Sequence, residues 1–204
     1  MWFIGALLLA VTQPKLSWEI NKPERSEWTT ITLQTVEKYY KDLDVAQDMG
    51  QFCPNYFKLD KDQRINVWAE LFSLLALYES GWNPHADYTE NTLGIDKITG
   101  QMVVSSGLLQ LSYGDIVWAK WCPFDWEGDK RIKTFDTSIH NPKNNLQCGI
   151  GIMAHQIRKH KKITIDKGVY WSTLRAGSQR AKTGDVATKL QATLLFCGKT
   201  VNQN

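Results

Sequence analysis

Glu79 is, by type and position, the residue of this chain best suited to donate a proton. It lies in the last turn of a stretch, residues 62–82, whose apolar residues Ile65, Trp68, Leu71, Phe72, Leu75 and Tyr78 repeat at helical intervals. The C-terminal end of a helix carries partial negative charge, which disfavours a carboxylate. Leu75, Tyr78 and Trp82 would also remove water from it. Both effects favour the protonated form and raise the pKa. A carboxylic acid protonated near neutral pH is the donor that glycosidic bond cleavage needs. An inverting hydrolase needs a second carboxylate as well, about 6.5–9.5 Å away, to activate water. Asp87, Glu90 and Asp96 follow Glu79 closely enough to be candidates. Each, taken alone, reads equally as a surface charge.

The elements that must position these groups are mostly helical. Asp60 or Asp62 can cap the start of the Glu79 helix, Asp60 having Gln63 at capping-box spacing, and Gly81 stops it. A preceding helix is expected over 29–49 and ends at Gly50. Residues 93–104 hold two β-prone runs around Thr99-Gly100, which predicts a small hairpin. A short helix follows over 113–121, broken by Cys122-Pro123. Asn141 caps, and Pro142 opens, a helix to about Arg158. Gly149 and Gly151 inside that helix each cost about 1 kcal/mol against Ala, so close packing is expected there. A short helix over 170–175 and a last one over 185–196 complete a mainly α chain with a hairpin beside the cleft.

With 204 residues, 43% hydrophobic and 22% charged, the chain is long enough for one globular domain, expected over 29–204. A net charge of +3 gives no case for nucleic acid. The basic run Arg158 to Lys162 reads first as a solvated face, and only second as a weak attraction for an anionic polymer. Residues 2–11 form an apolar run about half the length of a membrane span, so 1–12 reads as a secretory signal and no stable span is expected. Residues 13–28 read as a linker or an arm wrapped on the domain. Cys53, Cys122, Cys148 and Cys197 show no Cys-x-x-Cys pair; in an exported chain they predict two disulfides, with three pairings open. His85, His140, His155 and His160 lack ligand spacing, so neither metal nor cofactor is expected. No Gly-x-Ser-x-Gly elbow is present.

Three segments stand in order: Glu79-Ser80 with Trp82 and Pro84; Ser106-Gly107-Leu108-Leu109-Gln110-Leu111; and Asn141-Pro142 with Asn145, Leu146 and Gly149. Their order and content resemble the soluble lytic transglycosylase and goose-type lysozyme branch of the lysozyme-like superfamily, over roughly residues 63–175. The resemblance implies a lysozyme-like α+β fold and cleavage of the MurNAc-GlcNAc β-1,4 bond of peptidoglycan by a secreted or periplasmic monomer. It implies Glu79 as general acid, Ser80 as a residue that orients acid or substrate, Gln110 as a sugar-binding amide, and Leu109 and Ser106 as neighbours in the cleft wall. The family's Ala-Tyr-Asn motif has no clean match, and Tyr170-Trp171 is the nearest stretch. Nine tryptophans allow sugar platforms, with Trp82 and Trp126 in loops as the better candidates and Trp68 a core residue. If Asp87, Glu90 and Asp96 line the cleft, deacetylated, glucosamine-containing glycan would be preferred. A catalytically inactive cell-wall-binding protein is the reading from another class.

Overall fold

The computed structural model describes residues 15–198. The apolar run at 2–11 lies outside the described residues. The chain is mainly α: α1 (Ser26–Leu43), α2 (Lys61–Ser80), α3 (Trp126–Asp129), α4 (Pro142–His160) and α5 (Thr183–Thr193), joined by short 3-10 turns. Strands β1 (Asp87–Thr89) and β2 (Val104–Ser106) make one antiparallel pair, with Asp87 opposite Ser106 and Thr89 opposite Val104.

α2 is the centre of the molecule. Asp60 accepts from the Gln63 N–H at 2.8 Å while Gln63 reciprocates to Asp60, a complete capping box. Val67 to Ala76 are buried without a break, so the helix is covered all round rather than along one stripe. α1 and α5 pack against it, and α4 lies along α1. Gly81 closes α2 in the left-handed conformation (φ 62°), and Trp82 adopts it too (φ 61°), its N–H reaching back to the Ala76 carbonyl at 3.2 Å.

α4 starts as its sequence predicts. The Asn141 side chain accepts from the Lys143 and Asn144 N–H groups, and Pro142 occupies the first turn. Its two glycines are contact points. A Cβ on Gly149 would overlap Leu109 Cδ1, and one on Gly151 would overlap the Trp121 indole. Gly151→Ala is therefore expected to destabilise by about 1–3 kcal/mol through overpacking. Gly184→Ala in α5, where a Cβ meets nothing within 4 Å, should stabilise by about 0.5–1 kcal/mol. Urea denaturation of both variants checks the opposite signs.

Two expectations are corrected. α1 ends at Leu43, and Met49 belongs to a separate 3-10 turn. The hairpin around Thr99-Gly100 is present, through an Ile95–Met102 bridge and the Asp96 N–H to Gln101 and Val103 N–H to Gly94 carbonyl bonds, but its regular ladder lies further out, at Asp87–Thr89 and Val104–Ser106. The Asp96 carboxylate takes the Ile98 and Thr99 N–H groups at 2.7 and 3.1 Å, so that stretch folds as a side-chain-held turn instead of continuing the strands. Of the two readings of the stretch before α1, the wrapped arm fits its described part, with Leu16 and Trp18 buried in the core.

The disulfides are Cys53–Cys197 and Cys122–Cys148, with no free cysteine among the described residues. Such pairing fits an oxidising compartment. No helix among the described residues is long and apolar enough to cross a membrane.

Candidate active site

Glu79 emerges half-buried from the end of α2. Loss of water pushes its pKa up to about 7, and the nearby charge of Glu90 adds to the rise. One donor opposes them: Thr173 Oγ1 gives a 2.6 Å hydrogen bond to Glu79 Oε1. A protonated Glu79 held in this way keeps its acceptor oxygen on Thr173 and carries the proton on Oε2. Thr173 sits in the 3-10 turn Ser172–Leu174, which packs on α2. No spacing in the sequence pointed to it. Thr173→Val removes the donor that favours the ionised form. The Glu79 pKa should then rise by about one unit above its value in the parent protein, read by NMR titration of the carboxyl carbon.

The segment 106–111 forms the facing turn, and side chains from three directions hold its backbone. Ser80 Oγ donates to the Leu108 carbonyl at 2.9 Å, tying the turn to the Glu79 helix. Trp171 Nε1 donates to the Leu109 carbonyl at 2.8 Å. Asn145, fully buried on α4, accepts from the Leu109 N–H at 2.8 Å and donates to the Ser106 and Ile139 carbonyls, each at 3.0 Å. Gly107 (φ 76°) is required here, because a Cβ would overlap the Asn145 amide. Gln110 is also left-handed (φ 51°), and its Nε2 donates to the Ala86 and Gly107 carbonyls at 3.1 and 2.9 Å. Its amide group is thus fixed across the mouth of the turn.

Not every expected cleft residue reaches the cleft. Leu109 is fully buried against Gly149 and is a core residue, not a wall. Ser106 and Trp171 are buried and act on the turn through hydrogen bonds. Tyr170 does stand beside the acid. Its hydroxyl donates to Asp115 Oδ2 at 2.5 Å, and burial, then the charges of Asp115 and Glu79, hold its pKa well above the ordinary phenol value. It therefore remains a neutral donor. Asp115, buried in a capping box with Ser112, has a raised pKa caused by that burial. Its only sequence signal was the Ser112-x-x-Asp115 spacing.

The three candidate second carboxylates separate clearly. Asp96 is buried, and besides its own turn it accepts from the Gly114 N–H at 2.7 Å, so its oxygens are occupied. Asp87 pairs with His140 Nε2 at 2.9 Å. Glu90 accepts from Ser105 Oγ at 2.8 Å and is near enough to Glu79 to influence it. Alternation along the ladder puts Ser105 on the face opposite Asp87 and Ser106. A cavity of about 460 Å³ opens on the Asp87 and Ser106 face and is lined by Trp126, Phe135 and His140, without Glu79 or Glu90. Trp126 is thus in a cavity behind the hairpin. Trp82 donates to the Ser73 carbonyl and faces the N-terminal arm near Arg25.

No protein-family model and no curated protein matches the chain. Solved structures do. The wild-type form of a protein named Bd0314 DslA superposes with a TM-score of 0.72 at 27% identity, covering 91% of this chain and 98% of that one. Two further structures of the same protein, with TM-scores of 0.71 and 0.72, each carry one glutamate replaced by glutamine, at positions eleven residues apart. This chain is similar in fold, over nearly the full length of both proteins, to one in which two glutamates were singled out for removal of their charge.

Proposed function

We propose that this protein cleaves peptidoglycan glycan strands at the β-1,4 bond between MurNAc and GlcNAc, acting as a monomer outside the cytoplasm, with Glu79 as general acid. One observation carries the reading: a carboxyl at a helix end, poor in water, with a pKa near 7 and one oxygen already held by Thr173. Glu79 Oε2 gives its proton to the bridging oxygen as the glycosidic C–O bond breaks. Gln110, Tyr170 and the ordered turn hold the strand beside it. Glu90 accepts a proton from the water that attacks the opposite face of the sugar. Glu79 and Glu90 have the same separation in sequence as the two glutamates replaced in Bd0314 DslA, which supports pairing them.

Glu90 is also the observation that favours hydrolysis over transglycosylation, since a transglycosylase uses the substrate's own hydroxyl and needs no base. Mass spectrometry of the sugar ends released from purified sacculi tests both readings. Reducing ends, lost in Glu90→Gln, support the hydrolase. Anhydro ends replace it with a transglycosylase. Strands left whole by the parent protein return the inactive wall-binding reading. Sacculi with and without N-acetyl groups complete the comparison. With Asp96 buried and Asp87 paired, Glu90 is the carboxylate available to favour sugar amines. Faster cleavage of the deacetylated form, lost in Glu90→Gln, is the result that preference requires.

A further inference from the structure

A second cavity, about 210 Å³, is bounded by Trp118, His155, Lys159, His160 and Tyr170, the last of which is also near enough to Glu79 to be influenced by its charge. It belongs to none of the groups assigned above except Tyr170. We infer that it binds the carboxylate-bearing peptide side chain of the glycan strand, with the Trp118 ring beneath the sugar that carries it. The inference rests on the proposed substrate.

The walls are built for an anion next to a flat apolar face. Trp118 is 44% exposed, large for a tryptophan, and its ring is propped edge-on by Trp121 at 5.8 Å and at a tilt by His155 at 5.7 Å. A tryptophan ring offers a broad flat apolar face on which the C–H face of a sugar can lie. Arg158 Nη2 lies 3.1 Å from His155 Nδ1. A guanidinium only donates, so Nδ1 holds a lone pair and the ring proton is on Nε2, which leaves His155 a hydrogen-bond donor. Lys159 adds an exposed ammonium and His160 an exposed imidazole on the same rim. Positive residues in the last turn of a helix are explained in part by the helix dipole. The dipole gives no reason for an exposed tryptophan beside them. The basic run that the sequence left as a solvated face thus has a use, and the volume suits one side group rather than a long segment.

The test separates binding from cleavage. The full chain as Glu79→Gln, which does not turn over, is titrated calorimetrically with soluble glycan strands, either carrying their peptides or stripped of them by an amidase. The peptide-bearing strands are expected to bind roughly five- to tenfold more tightly, the scale of one exposed ion pair to Lys159 together with hydrogen bonds from the imidazoles. Adding Lys159→Ser and His160→Ser should remove that difference and leave the affinity for stripped strands unchanged. Adding Trp118→Ala should weaken both strands alike. Equal binding of the two strands, or a difference that survives the double serine change, overturns the inference. Absence of cleavage by the parent protein, with this binding pattern intact, would instead count against the catalytic reading alone.

Discussion

Glu79→Gln is expected to lower the rate of glycan cleavage by at least about 10²–10⁴-fold, the usual contribution of a general acid, while leaving the fold intact. The same change should make the protein more stable, and the pH dependence of that gain identifies its cause. The Glu79 carboxyl titrates at about 7 in the folded chain and near 4.5 when solvated. Ionisation is therefore harder in the folded state, so the folded form binds the proton more tightly than the unfolded one. This contribution is fully present below about pH 4.5 and is lost as pH rises to about 7, where the cost of the buried charge approaches 3 kcal/mol as an order of magnitude. Glutamine stays neutral and does not lose it. Denaturation of parent and variant should coincide at pH 4, separate between pH 5 and 7, and stay apart above. A uniform offset at every pH would assign the effect to packing. The activity of the parent should fall with its midpoint near pH 7, at the upper edge of that interval, since the acid is competent only while protonated and its folded-state pKa sets the fall.

Asn145→Asp is the second large effect. The two side chains have the same shape, yet the amide donates to two carbonyls and accepts from one N–H. Aspartate keeps the acceptor and sets an oxygen against the Ser106 and Ile139 carbonyls. Those carbonyls lie with a fully buried side chain, away from compensating water. Leaving such groups unpaired costs about 1–3 kcal/mol each, so a loss of about 3–5 kcal/mol is expected by urea denaturation. Cleavage should fall even where the variant remains folded, because Asn145 fixes the turn that carries Gln110. A variant as stable and as active as the parent would show that Ser80 and Trp171 suffice to hold that turn.

Much of this site was legible because it depends on local rules. The helix that carries Glu79 follows from Asp60, Gln63, the apolar spacing and Gly81. The close approach of α4 to the turn follows from Gly149, whose missing Cβ receives Leu109. What was not legible depends on contacts between distant segments. Thr173 lies 94 residues from Glu79 in sequence, and nothing in its neighbourhood announces a carboxylate partner. The disulfide pairing was open for the same reason. Leu109 was misplaced because a hydrophobic residue in a turn reads the same in sequence whether it lines a groove or fills the core. Asp96 was misread as a surface acid because its partners are backbone N–H groups, which no sequence pattern displays.

A second acid on α2 escaped notice altogether. Glu70 is fully buried, accepts from the Ser17 N–H at 3.0 Å and from the Ser17 hydroxyl, and its burial pushes its pKa up to about 7. Periodicity marked its position as polar, and only the seating of the arm before α1 explains it.

The turn at 106–111 behaves like the keystone of an arch. Its backbone is gripped from the end of α2, from α4 and from the segment after Tyr170, whereas Tyr88, Leu93 and Ile95 in and beyond β1 lie open to solvent. Anyone reshaping this protein for another polymer should graft changes onto the hairpin tip, where substitutions meet solvent, and leave the arch untouched.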